Sequence, residues 1–192
     1  NQSRRQRQMC IRDRFKAVGE SIQKPVAYYQ NNLGSLLNLL AEVEKAASPI
    51  PFIFSSSCTV YGEAKELPIT ENAPIQSAKS PYGNTKQIGE EILSDTVHAI
   101  DGFRVISLRY FNPIGAHSSI AIGELPLGRP QNLVPIITQT AAGIFPELTV
   151  FGNDYPTDDG TNIRDYIHVM DLAEAHVVAL EPVSYTHLRA HE

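Results

Sequence analysis

The sequence predicts an α/β fold built on a mostly parallel sheet. Short apolar runs alternate with amphipathic stretches at helical spacing along residues 25–180, the pattern of strand–helix–strand units. A Ser-Pro pair at 80–81 marks a capped helix start, and the Gly-, Pro- and Ser-rich segments fall between the periodic ones.

The stretch from Pro25 to Ala47 reads as a helix. Pro25 suits the first turn, and Leu33, Leu36, Leu37, Leu40 and Val43 recur at helical spacing. Pro49 and Pro51 close it, and Phe52-Ile53-Phe54 reads as a buried strand leading into Ser55-Ser56-Ser57. Residues 62–80 form a loop. Ser80 caps the next helix, Pro81 takes its first position, and Ile88, Ile92, Leu93 and Val97 give it an apolar face. Residues 104–110 make a second strand. A long loop covers Pro113, Gly115 and residues 123–130. A helix follows over about 133–142, then a short strand over 148–151 and a turn-rich stretch to Asn162. Asp171 is the expected cap of a last helix, with Leu172, Ala175, Val178 and Ala179 facing inward.

The composition, 42% hydrophobic and 19% charged, is that of an ordinary globular chain. A net charge of −5 argues against sequence-independent nucleic-acid binding, which needs a Lys/Arg surplus. No apolar run is long enough to span a membrane, and no secretory h-region opens the chain. Cys10 and Cys58 form neither a disulfide framework nor a zinc pattern. His98, His117, His168 and His176 lack metal-ligand spacing, so no metal site is expected. A reducing, cytoplasmic location is the default.

Both ends look foreign to the rest. The first fourteen residues carry five Arg and one Asp. Met9 to Asp13 can be encoded as ATG TGT ATA AGA GAC, and the reverse complement of that DNA translates as Val-Ser-Tyr-Thr-His, which is Val183 to His187. An inverted repeat resembling a transposon-end sequencing adapter accounts for both. Residues 1–14 and 183–192 are therefore expected to be translated adapter rather than fold. Genomic DNA that runs continuously through both ends would overturn this.

The sharpest chemical feature is Tyr82-Gly83-Asn84-Thr85-Lys86. Four-residue spacing puts Tyr82 and Lys86 on one helix face. An ammonium beside a phenol stabilises the phenolate, so Lys86 is expected to draw the Tyr82 pKa from about 10 toward neutrality. A tyrosine tuned in this way can take a proton from a substrate hydroxyl. Ser57, at the end of the preceding strand, is a hydroxyl partner where α/β proteins place ligands. The pair Tyr61 and Lys65 has the same spacing but no capped helix around it, and serves as a decoy.

These three residues resemble the Ser-Tyr-Lys triad of the extended short-chain dehydrogenase/reductase family. The segments Phe54 to Gly62, Ser80 to Lys86, Leu108 to His117, Asn132 to Pro135 and Val150 to Asp171 are similar to those of the UDP-glucose 4-epimerase family within it. The resemblance covers residues 15–182. It departs at Cys58, where the family usually has Ala.

The resemblance implies a Rossmann-like NAD-binding part, mainly residues 15–117, interleaved with the start of a smaller UDP-sugar-binding part, mainly 118–182. It implies NAD as cofactor and UDP-glucose and UDP-galactose as substrates, interconverted by reversible hydride transfer at C4. Tyr82 would be the acid/base, Ser57 would hydrogen-bond the reacting hydroxyl, and Lys86 would bind the nicotinamide ribose. Lys16, Asn31 and Phe111 would also line the NAD site. Asn112, Asn132, Leu133, Thr149, Val150, Phe151 and Arg164 would hold the UDP-sugar. Guanidinium suits a diphosphate. Beside these roles stand plainer ones: Asn31 and Asn132 as helix-start residues, Phe111 and Phe151 as core aromatics, Arg164 as a surface partner of Asp158 or Asp159, Cys58 as a small packed residue.

The Gly-rich dinucleotide fingerprint and the acidic ribose ligand that should follow it are absent. The chain is expected to begin after them, to lack the end of the substrate part, and to be inactive alone. A homodimer is expected for the complete protein, through the helices at 25–47 and 81–99. Another UDP-sugar as substrate, a sugar-nucleotide dehydratase and a non-catalytic NAD-binding regulator are the competing readings. Dehydratases typically carry Thr at the position of Ser57, and regulators usually lose the Tyr or the Lys.

Overall fold

The computed structural model describes residues 14–46, 51–64, 66–124, 126 and 129–180. The expected adapter segments, apart from Arg14, lie outside them, as does Lys65. The described residues divide into two compact units, one running through Tyr110 and resuming at Val178, the other Phe111–Val177.

In the first unit a short 3-10 turn, Arg14–Lys16, leads into α1, Val18–Gln23, and α2, Pro25–Val43. Pro25 stands in the first turn of α2, where a missing amide hydrogen costs nothing. Strand β1, Pro51–Ser55, runs parallel to β2, Arg104–Leu108, with Pro51 opposite Arg104 and Ser55 opposite Leu108. Between them lie a second 3-10 turn, Cys58–Tyr61, and helix α3, Pro81–Ala99. Ser80 caps α3 as expected, its hydroxyl accepting the Gly83 amide at 3.1 Å.

The core of this unit gathers Leu36 and Leu40 of α2, Leu93 of α3, and Phe103 just before β2. Phe52, Phe54 and Val105 on the strands close it from the other side. Burying each such side chain contributes roughly 1.5–3 kcal/mol. Gly89 lets α3 lie flush on β1: a Cβ there would come within 2.7 Å of Phe54 Cζ. Tyr28, fully buried, ties α2 to the preceding turn by donating to the Ala17 carbonyl at 3.0 Å, and its ring meets Phe15 edge-on. Leu37, expected inward, is 51% exposed. It lies on the flank of α2 away from Leu36 and Leu40, whose stripe is narrower than the leucine count suggests. Val97 is likewise exposed near the end of α3.

In the second unit β3, Asn112–Ile114, pairs in parallel with β4, Tyr166–His168. Both lie where the sequence predicted no strand. Each is three residues long, too short for alternation to register, and β3 contains Pro113, which argues against a strand by sequence alone. Helix α4, Leu133–Ala141, agrees with expectation. The strand expected at 148–151 is not formed: Val150 is 67% and Phe151 91% exposed. β-branched and aromatic residues favour strands only where a partner strand and a packed face exist. Helix α5, Val169–Leu180, begins two residues before Asp171, which lies in its first turn. The His168 Nδ1 accepts the Met170 amide at 3.2 Å at the start of this helix, the place expected for Asp171. On α5, Leu172, Ala175 and Ala179 are half-buried, while Val178 is exposed. No helix among the described residues is long and apolar enough to cross a membrane.

Candidate active site

The site forms where β1 ends and α3 begins. Ser57 leaves the strand in extended conformation and caps the Cys58–Tyr61 turn, its hydroxyl accepting the Thr59 amide at 3.3 Å. The Cys58 amide donates to the Tyr110 carbonyl at 3.1 Å, so the turn is fastened beyond the end of β2 as well. Gly62 follows with φ near +56°, a left-handed conformation, and closes against Gln76. The Gln87 side chain donates to the Val60 and Gln76 carbonyls, at 3.0 and 2.5 Å, holding the turn and the following loop to α3.

Tyr82 stands in the first turn of α3 and Lys86 one turn later. The Lys86 ammonium donates to the Ser55 carbonyl at 2.8 Å and lies 5.6 Å from the Tyr82 ring centroid and 5.2 Å from that of Phe54. Ser57 is buried, and its hydroxyl lies near enough to the Tyr82 phenol to lower its pKa. The structure thus brings together the three residues singled out by sequence.

The electrostatics differ from expectation. Tyr82 is pushed up to about 12 rather than down, first by burial, then by the nearby Tyr110 phenol, against a smaller opposing effect of the Ser57 side chain. The Lys86 ammonium turns toward the Ser55 carbonyl, and its own pKa is lowered by burial. The stripe spacing was legible, but burial and the Tyr110 phenol, not the Lys86 ammonium, set the direction of the Tyr82 shift.

The Tyr61 decoy is accounted for structurally. Its ring is buried beneath the Arg109 guanidinium, 5.1 Å away, and its hydroxyl accepts Arg109 Nη1 at 3.2 Å. Three residues that the sequence did not single out lie behind the site: Ser56 donates to Glu90, and Glu90 pairs with Arg109. The available signal was the spacing of Glu90, four residues after Lys86.

Among the other expected cofactor residues, Lys16 is exposed in the first 3-10 turn. Asn31, half-buried on α2, donates to Asn32 at 3.0 Å; Asn32 in turn donates to Thr85 of α3 at 3.2 Å. Phe111 is half-buried at the start of the second unit. In that unit Asn112 donates to the Asp165 carbonyl at 2.9 Å. Asn132 precedes α4 without a side-chain capping bond, and Leu133 is exposed. Thr149, Val150 and Phe151 form an exposed stretch, so Phe151 is not a core aromatic. Arg164 donates to Asn162 and to the Ile163 carbonyl, at 2.5 and 2.9 Å.

The donor set fits a nicotinamide ribose beside a sugar hydroxyl. An ammonium has three N–H groups, of which Lys86 uses one on Ser55, and two hydroxyls stand with it. The Thr59 hydroxyl, next to this cluster, is buried without a hydrogen-bond partner among the described residues, an orphan of the kind that marks a polar site. No cluster of metal-ligating side chains occurs among the described residues.

The chain resembles known proteins in sequence and in fold. The chain is 53% identical over 177 residues to the UDP-glucose 4-epimerase of Neisseria meningitidis serogroup A, covering 91% of this chain and 52% of the relative. It is similar to the crystal structure of UDP-glucose 4-epimerase from Bifidobacterium longum in complex with NAD+ and UDP. There the TM-score is 0.82 at 51% identity, over 86% of this chain and 49% of that one. A second match is the enzyme from Stenotrophomonas maltophila with bound NAD and formylated UDP-arabinopyranose, with a TM-score of 0.80 at 48% identity over 86% of this chain and 48% of that one. The fold is the Rossmann-like α/β fold of these structures, and the chain spans about half the length of the relatives it matches. The model of the NAD dependent epimerase/dehydratase family matches residues 14–188, and the chain belongs to that family.

Proposed function

We propose that this chain carries the catalytic residues of an NAD-dependent UDP-glucose 4-epimerase, which interconverts UDP-glucose and UDP-galactose. The observation that supports it most is the Ser57–Tyr82–Lys86 cluster at the carboxyl end of a parallel strand. The half-length identity to UDP-glucose 4-epimerases supports the substrate.

Tyr82 takes the proton from the sugar 4-hydroxyl and returns it after the sugar has presented its other face. Ser57 hydrogen-bonds that hydroxyl and passes the proton. Lys86 holds the nicotinamide ribose, with Lys16, Asn31 and Phe111 completing the cofactor side. Asn112, Asn132, Leu133, Thr149, Val150, Phe151 and Arg164 hold the UDP-sugar. NAD, when bound, supplies the hydride acceptor and donor for C4 together with the positive charge that draws the Tyr82 phenol down from about 12. The net result is inversion at C4 without net oxidation.

The test is Tyr82→Phe in the full reading frame that encodes this chain. Epimerisation of UDP-galactose should fall by about 10²-fold or more, with NAD retained. Undiminished turnover would sink the assignment.

A pentose-bearing UDP-sugar is a second substrate reading, favoured by the arabinopyranose derivative bound to the Stenotrophomonas relative. Comparing kcat/KM for UDP-galactose and UDP-arabinopyranose decides between them. We further propose that the complete protein works in the cytoplasm as a homodimer through α2 and α3, on which Val26, Leu37, Leu39 and Val97 are exposed. Leu37→Glu should then yield a monomer in sedimentation; an unchanged mass would exclude this face.

A further inference from the structure

Residues 82, 86 and 90 follow one another along a single face of α3, one turn apart. Each meets a different residue of the segment that leaves β1. Tyr82 interacts with the Ser57 side chain, Lys86 donates to the Ser55 carbonyl at 2.8 Å, and the Glu90 carboxylate accepts the Ser56 hydroxyl. Three consecutive turns of the helix therefore hold three consecutive residues of the segment.

Glu90 does more than accept Ser56. Arg109, directly after β2, donates to its carboxylate from Nε at 2.9 and 3.1 Å and from Nη2 at 2.5 Å. The pair is largely shielded from water, with side-chain exposures of 23% for Arg109 and 10% for Glu90. The same guanidinium stacks over Tyr61 and donates to its hydroxyl. Tyr61 is the last residue of the turn that Ser57 caps. One carboxylate thus holds the Ser57 turn from both sides, through Ser56 before it and through Arg109 and Tyr61 after it.

We propose that Glu90 is a positioning residue for catalysis: acting through Ser56 and Arg109, it fixes where the Ser57 hydroxyl stands against Tyr82. The proposal rests on the epimerase reading for its activity consequences. A buried ion pair contributes little net stability, because desolvating both charges offsets their attraction. What it does supply is directional: a forked guanidinium on one carboxylate admits few orientations. The Ser57 side chain opposes the rise of the Tyr82 pKa, so any displacement of Ser57 makes the phenol harder to ionise.

The experiment uses the full reading frame with Ser56→Ala, Ser56→Thr and Glu90→Gln. For Ser56→Ala and Glu90→Gln, kcat for UDP-galactose should fall about tenfold or more, with KM changed less than about twofold. The acid limb of the kcat–pH profile should move to higher pH. Ser56→Thr, which keeps the hydroxyl, should restore the profile. Wild-type kcat and an unmoved pH profile in Ser56→Ala would overturn the proposal, as would a loss of activity tracking only the loss of folded protein. If the wild-type protein does not epimerise UDP-galactose, the epimerase reading fails separately. Crystal structures of wild type and Ser56→Ala then decide the positioning role: Ser57 displaced from Tyr82 supports it, and Ser57 unmoved refutes it.

Discussion

Lys86 fastens α3 to the strand before it: its ammonium donates to the Ser55 carbonyl at 2.8 Å, two residues before Ser57. The lysine is therefore a structural tie as well as a charge. A side chain buried this far pays for its desolvation in its own pKa, which is lowered, and the carbonyl is the group that offsets part of that cost.

Replacing Lys86 by Met removes the donor, the charge and the tie at once, while keeping a flexible stem of similar length. The expected outcome is a fall in kcat of about 10²-fold or more in the full reading frame. Lys86→Arg should not restore it, since a planar guanidinium cannot occupy the place of a compact ammonium. Steady-state kinetics with UDP-galactose checks both, and activity retained in Lys86→Met would contradict the role.

Alkaline pH should destabilise the chain through two tyrosines. Tyr82 is pushed up to about 12 mainly by burial, and Tyr28 to about 12 by burial and by its hydrogen bond to Glu20. An unfolded tyrosine titrates near 10. Between these values the unfolded chain has released protons that the folded chain still holds, so stability falls as pH rises from about 10 to about 12. Below about 10 the contribution is fully present. Urea unfolding at a series of pH values should show this decline, and Tyr28→Phe should flatten part of it. A decline of the same steepness in Tyr28→Phe would count against the buried phenol as its source.

Gly89→Ala tests the flush contact of α3 on β1. Helix propensity alone would favour Ala by about 1 kcal/mol. The new methyl would stand 2.7 Å from Phe54 Cζ, an atom on the ring axis that rotation about χ2 leaves in place. Relief requires moving the whole ring within the core, and overpacking of this kind costs about 1–3 kcal/mol. The net effect should be destabilising in denaturant titration, and Phe54→Leu in the same chain should recover part of it. A stabilised Gly89→Ala would show that the ring yields.

What the sequence revealed was what local chemistry decides. The cap at Ser80 and the stripe of Tyr82 and Lys86 are set within one or two helical turns, and both stand as read. The partnership of Glu90 with Arg109 joins residues nineteen apart on a helix and a strand end, and no spacing rule announces it. Strands β3 and β4 escaped because three residues show no alternation and Pro113 speaks against one of them. Residues 148–151 misled in the other direction, since their strand propensity has no partner to realise it. The residues in the second unit assigned to the sugar nucleotide came from resemblance alone; Phe151 and Arg164 carry no local signature of a site.

The Gly89–Phe54 contact and the three-turn grip on residues 55–57 also set how this helix can change over generations. Each inserted or deleted residue turns everything on one side of it by about 100° relative to the other. Between Lys86 and Gly89 such a change would leave the helix seated on Phe54 while swinging the tyrosine and lysine away from the serine turn. The exposed side of α3 can therefore take substitutions, whereas an insertion or deletion between Tyr82 and Gly89 would break one of these contacts or the other.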